Sequence, residues 1–86
     1  MKANSAKRKV TIDVNGRKTP VRVGDTIELD FGWRGLVVGF ETWTLDAGSF
    51  YPGLKIVVQA YNEEAFGPDA PRHKRYYTPE SVLRVL

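Results

Sequence analysis

The side chains in this chain whose types and spacing suit chemistry are cationic and aromatic. Arg72, Lys74, Arg75 and Tyr76 share one short run, and Lys7, Arg8, Lys9, Arg17 and Lys18 crowd the opposite end. Trp33 is followed directly by Arg34, and Trp43 stands at the start of a turn-rich segment that also holds Phe50 and Tyr51. Clustered lysine and arginine displace counterions from a phosphate backbone, and rings beside them stack on unpaired bases. That combination predicts a nucleic-acid contact surface, RNA or DNA, built from these cations with Trp33, Trp43 and Tyr76. The same rings would also receive a partner's proline side chains. Plainer roles stand beside both: a tryptophan plugging the open end of a small core, and lysines that keep one face solvated.

Other chemistries find less to work with. Asp25, Glu28 and Asp30, or Glu63, Glu64 and Asp69, are close enough in sequence to be read as paired carboxylates. Acid–base work needs a concave pocket to hold the substrate, and solvated loops account for these acids. Ser5, Ser49 and Ser81 lack the flanking motif of an activated nucleophile. There is no cysteine and one histidine, His73. Thiolate zinc sites and disulfide frameworks are therefore excluded, and no cofactor motif is present. The expectation is a binding protein without enzymatic activity, metal or cofactor.

Eighty-six residues fit one domain, since halves of this length would bury too little to stand alone. With 42% hydrophobic residues the chain is apolar enough to fold by packing. Net charge is +3, and its layout is uneven. Residues 1–22 carry seven Lys/Arg against Asp13, residues 23–70 carry two against eight acids, and residues 71–86 carry four against Glu80. Both ends are basic and the middle is acidic. Residues 1–9 read as a flexible basic arm and residues 10–86 as the domain. The start has no apolar run of the kind a signal peptide or membrane anchor needs, so the cytoplasm is the expected compartment and a membrane partner is not expected.

These residues must be positioned by strands. Val10, Ile12 and Val14 alternate with polar residues, and Asn15-Gly16 then predicts a tight hairpin into residues 17–23, with Pro20 at an edge. After a Val23-Gly24-Asp25 turn, residues 26–31 alternate again, with Ile27, Leu29 and Phe31 expected on one inner face. Gly32 and Gly35 bracket a turn through Trp33-Arg34, and residues 36–42 follow as a strand bent at Gly39. Residues 42–53 read as a long loop and residues 54–61 as the clearest strand. An acidic turn-rich stretch, a basic strand over residues 72–77, one helical turn begun by Thr78-Pro79, and a closing strand over residues 82–86 complete the chain. Helical spacing is never sustained, so no substantial helix is predicted.

The fold class expected is all-β: a small, five- to six-stranded SH3-like barrel with an N-terminal hairpin and one short helical turn before the last strand. The run VGDTIELDFGWRGLVVGFE, residues 23–41, resembles the core of KOW-type SH3-like barrels, and YYTPESVLRVL, residues 76–86, resembles the way such barrels close. The resemblance implies a barrel whose first and last strands pair, which would bring the two basic ends onto one face. It also implies RNA, ribosomal or transcription-complex partners. A protein-interaction adaptor is the alternative.

Type II dihydrofolate reductases are a further comparison, because Trp33-x-Gly35-x-Val37-x-Gly39 is similar to their strand pattern. Where that family has Val-Gln-Ile-Tyr, this chain has Lys74-Arg75-Tyr76-Tyr77, and where it has a cationic strand this one has Glu28 and Asp30. The sign reversal argues against that activity.

Overall fold

The computed structural model describes residues 9–43 and 53–86, with the backbone alone for Thr42 and Trp43. Seven strands form two antiparallel sheets: β1 (Lys9–Val14), β2 (Arg17–Arg22), β3 (Thr26–Glu28), β4 (Arg34–Trp43), β5 (Gly53–Tyr61), β6 (His73–Tyr77) and β7 (Arg84–Val85). β1 and β2 make the N-terminal hairpin, and the other five run in the order β6-β5-β4-β3-β7. The all-β class, the hairpin and the single helical turn before the last strand, Pro79–Ser81, are as the sequence predicts. The strand total reaches seven because the hairpin stands as a sheet of its own.

Asn15 and Gly16 take φ of 53° and 82°, the left-handed pair that a two-residue hairpin turn requires. The turn after β2 ties the two sheets together. Gly24 N–H donates to the Val37 carbonyl at 2.9 Å, and Val37 N–H donates to the Asp25 carbonyl at 2.8 Å. The Asp25 carboxylate in turn accepts from Arg22 N–H at 2.9 Å, fixing the exit of the hairpin. One core results. Ile12, Val14 and Val21 of the hairpin pack with Ile27, Leu29, Val37, Phe40, Ile56, Val58, Ala60 and Val82.

β4 changes phase partway along. Its pairing with β5 shifts between Val37 and Gly39, so that Val37 and Phe40 both face the core although three positions separate them. The bend predicted at Gly39 lies at this bulge. Gly35 meets a steric need instead. A Cβ there would lie 2.9 Å from the Val58 Cβ, so only glycine lets β4 approach β5 this closely.

Three expectations need correction. The first and last strands do not pair: β1 bonds only to β2, while Leu83 and Leu86 N–H donate at 2.8 Å to the carbonyls of Glu28 and Thr26, drawing the chain end onto β3. β1 packs instead against the Pro79–Ser81 turn. Second, β3 stops at Glu28, and Asp30–Gly32 forms a 3₁₀ turn; Phe31, expected inside, has φ of 62° and is 92% exposed. Third, β6 begins at His73, which leaves Arg72 outside the strand expected over residues 72–77; the acidic stretch after β5 contains a four-residue helix, α1 (Glu63–Phe66), in keeping with the expectation of no substantial helix. No helix among the described residues is long and apolar enough to cross a membrane.

The Pro79–Ser81 turn begins with proline as predicted, but the Thr78 side chain does not cap it. Hydrogen bonds from its own backbone N–H and from the Thr78 hydroxyl hold the Glu80 carboxyl below its ordinary value of 4.5.

This packing makes two outcomes measurable. Gly35→Ala will lower stability by about 1–3 kcal/mol, read as a fall in denaturant midpoint at unchanged slope, because β4 and β5 must separate to admit the methyl group. Glu80 has a depressed folded pKa, so it stabilises the fold above pH 4.5 and loses that contribution as pH falls through the folded value. The stability difference between the wild-type chain and Glu80→Gln is therefore expected at neutral pH and should close in acid.

Candidate nucleic-acid interface and an adjoining aromatic cleft

β6 is an edge strand. It pairs with β5 through Ile56↔Tyr77, Val57↔Tyr76, Val58↔Arg75, Gln59↔Lys74 and Ala60↔His73, and among the described residues no strand bonds to its other side. Because Ile56, Val58 and Ala60 face the core, their partners Tyr77, Arg75 and His73 project on the inner side. Tyr76 and Lys74 project on the outer side. All of β6 except Tyr77 is exposed.

Each lysine or arginine of this run lies over a ring. The Arg72 guanidinium is 4.6 Å from the centroid of Tyr61, the Lys74 ammonium 5.6 Å from Tyr76, and the Arg75 guanidinium 5.5 Å from Trp33. Such contacts are worth about 0.5–1 kcal/mol at exposed sites. They are weak enough to be exchanged for a ligand's phosphates and bases. The structure places Lys74, Arg75 and Tyr76 on β6 with Arg72 just before it, and brings Trp33, also named from the sequence, to Arg75; Tyr61 is the ring that sequence reasoning did not name.

The remaining predicted residues divide. Trp33 is half-buried against the core, and its cationic partner is Arg75 rather than Arg34. Arg34, on β4, lines a hollow of about 140 Å³ with Gly32, Glu63 and Glu64. Neighbouring residues of an extended chain point to opposite sides, which is why Trp33 and Arg34 do not act together. Lys9, Arg17 and Lys18 are exposed on the hairpin, a different sheet from β6, with Lys18 opposite Asp13. Among the described residues the first and last strands do not pair, so the positive face expected from that pairing is not made in this way. Lys7 and Arg8 lie outside the described residues, as does the side chain of Trp43.

Sequence reasoning missed a cleft of about 270 Å³ lined by Leu29, Asp30, Phe31, Trp33, Tyr77 and Ser81. Its outer wall is the Asp30–Gly32 turn. Asn62 holds that turn in place: its Nδ2 donates to the Phe31 carbonyl at 3.0 Å while its Oδ1 accepts from Ala65 N–H at 3.1 Å, capping α1. Gly32, at φ of 82°, packs so tightly there that a Cβ would lie 2.7 Å from Glu64 Oε1. The available signal was Asp30-Phe31-Gly32 itself, in which a turn former and a glycine flank the phenylalanine.

Phe31 costs the fold stability, since a bulky residue in the left-handed region is disfavoured by about 1–2 kcal/mol and almost none of its ring is covered. Phe31→Gly should raise the unfolding free energy by about 1 kcal/mol, measured by denaturation. An unchanged or lower stability would show that the ring is held by contacts in the folded chain.

No family model, curated protein or solved structure matches the chain, so a functional reading rests on the chemistry of these two surfaces.

Proposed function

We propose that the chain is a non-catalytic SH3-like barrel of KOW type that holds single-stranded RNA or DNA along β6. The observation that carries this reading is the set of three cation–ring pairs formed by Arg72, Lys74 and Arg75. Spaced cations with rings beneath them supply both halves of single-strand recognition, phosphate neutralisation and base stacking. Lys74 and Tyr76 carry the outer face of the strand and Arg75 with Trp33 its inner end. Two sheets around one core, with β4 bent at its bulge, support the barrel assignment.

A second reading is favoured by one feature, the unpaired edge of β6. An extended peptide could add there as a further strand, which is the protein-interaction alternative. The two differ in what they depend on. Strand addition uses backbone hydrogen bonds and survives loss of the side-chain cations, whereas nucleic-acid binding does not.

The test is fluorescence anisotropy with mixed-sequence single-stranded oligonucleotides across a salt series. Binding should weaken steadily with salt. Replacing Lys74 and Arg75 together by Gln should lower affinity and flatten the log–log salt slope by about 1.4, at ~0.7 per lost phosphate contact. No binding at low salt, or a slope unaltered by the double substitution, sinks the proposal.

A further inference from the structure

The aromatic cleft differs in chemistry from β6 and calls for a different ligand. Phe31, Trp33 and Tyr77 contribute three rings to its lining, and Asp30 is its one charged residue among the described residues. Ring faces carry negative quadrupole potential, and a carboxylate adds a full negative charge. An anion would be repelled by both. A neutral apolar group would use the rings and leave Asp30 idle. An ordinary ammonium is strongly hydrated and gives up its water reluctantly. A methylated ammonium spreads its charge over an apolar surface, so it gains from rings and carboxylate together.

Two further observations agree. Trp33 already holds one cation, because the Arg75 guanidinium lies 5.5 Å from its ring although Arg75 does not line the cleft. Phe31 stands 92% exposed on a left-handed backbone, fixed there by the Asn62 hydrogen bond to its carbonyl rather than by burial of its ring. The cleft, about 270 Å³, falls just below the ~300–1,000 Å³ of ordinary ligand pockets. It would therefore take a headgroup or the tip of a side chain rather than a whole cofactor.

We infer that the cleft formed by Asp30, Phe31, Trp33 and Tyr77 is a binding site for a quaternary ammonium group. This assignment shares Trp33 with the nucleic-acid reading but does not depend on that reading being right.

The test uses the isotope-labelled full chain and follows the Trp33 indole N–H and the Phe31 amide by NMR, with Trp43→Phe used to assign the indoles. Tetramethylammonium chloride should shift both signals in a saturable way, while sodium chloride at equal concentration should not. The neutral analogue tert-butanol should bind far more weakly. Asp30→Asn should weaken binding about fivefold and Phe31→Ala, at an exposed position that the fold does not need, should remove most of it. Choline and trimethyl-lysine amide form two further arms, and tighter binding of either identifies the source of the group.

Equal shifts with tert-butanol, no effect of Asp30→Asn, or no movement of the two signals would overturn the assignment. So would an oligonucleotide that shifts the cleft while tetramethylammonium does not, since the cleft would then hold a base. Replacing Arg72 and Lys74 together by Gln separates the two proposals, because their rings, Tyr61 and Tyr76, do not line the cleft: the variant should weaken oligonucleotide binding and keep tetramethylammonium.

Discussion

Much of the functional end of this molecule hangs on one amide. Asn62 is the only buried polar side chain among the described residues, at 5% exposure, and its donor and acceptor are both engaged. In a low-dielectric setting an unmade hydrogen bond costs about 1–3 kcal/mol, so both bonds are effectively obligatory once the residue is buried. One bond ends β5 in a helical turn. The other reaches back across the chain to the Phe31 carbonyl and holds the Asp30–Gly32 turn against that helix. The turn is closed locally by Leu29 N–H donating to the Trp33 carbonyl at 2.8 Å and Trp33 N–H to the Asp30 carbonyl at 3.2 Å, and the Asn62 tie sets it against α1.

From that constraint the two candidate surfaces acquire their separate characters. β6 carries its cations on a strand supported from one side by β5, so the side chains are free to exchange intramolecular ring contacts for an external partner. The cleft lies where the inner face of the five-stranded sheet meets the Asp30–Gly32 and Pro79–Ser81 turns, and its rings are shared with the rim of the core. Trp33 belongs to both. Its ring packs on the core, lines the cleft and meets the Arg75 guanidinium, so the two surfaces abut at one residue without having the same charge.

The strands were legible in the sequence wherever one face is buried and the other wet. β1, with Ile12 and Val14 inward, follows alternation closely, while β5 was legible as a β-branched run, since Val57 is buried alongside Ile56 and Val58. The Asn15-Gly16 turn was legible because few dipeptides suit its backbone. Alternation misled at Phe31, since continuing the phase of Ile27 and Leu29 ignores a turn that is set by Asn62 from a distant part of the chain. Pairing partners were not legible either. Which strand β7 joins depends on two backbone N–H groups, at Leu83 and Leu86, that leave no mark on residue type. Of the site, the cationic run around Arg72–Tyr76 was visible because charge and aromaticity lie together in sequence; the cleft was hidden because its lining comes from three separate segments.

The phase slip within β4 has a bearing on which lengths of this chain can exist. Loops absorb an added or missing residue at little cost, and a strand does so only at a bulge, where one residue has no partner across the ladder. Val38 has no partner on β5, so deleting it would leave Val37, Gly39 and Phe40 in simple alternation with Phe40 still opposite Ile56, whereas pairing the strand at its present length without the bulge would turn Phe40 into solvent. A one-residue change in length is therefore tolerated at Val38 as well as in the loops, while a residue lost from the paired part of β4 would turn the rest of the strand over.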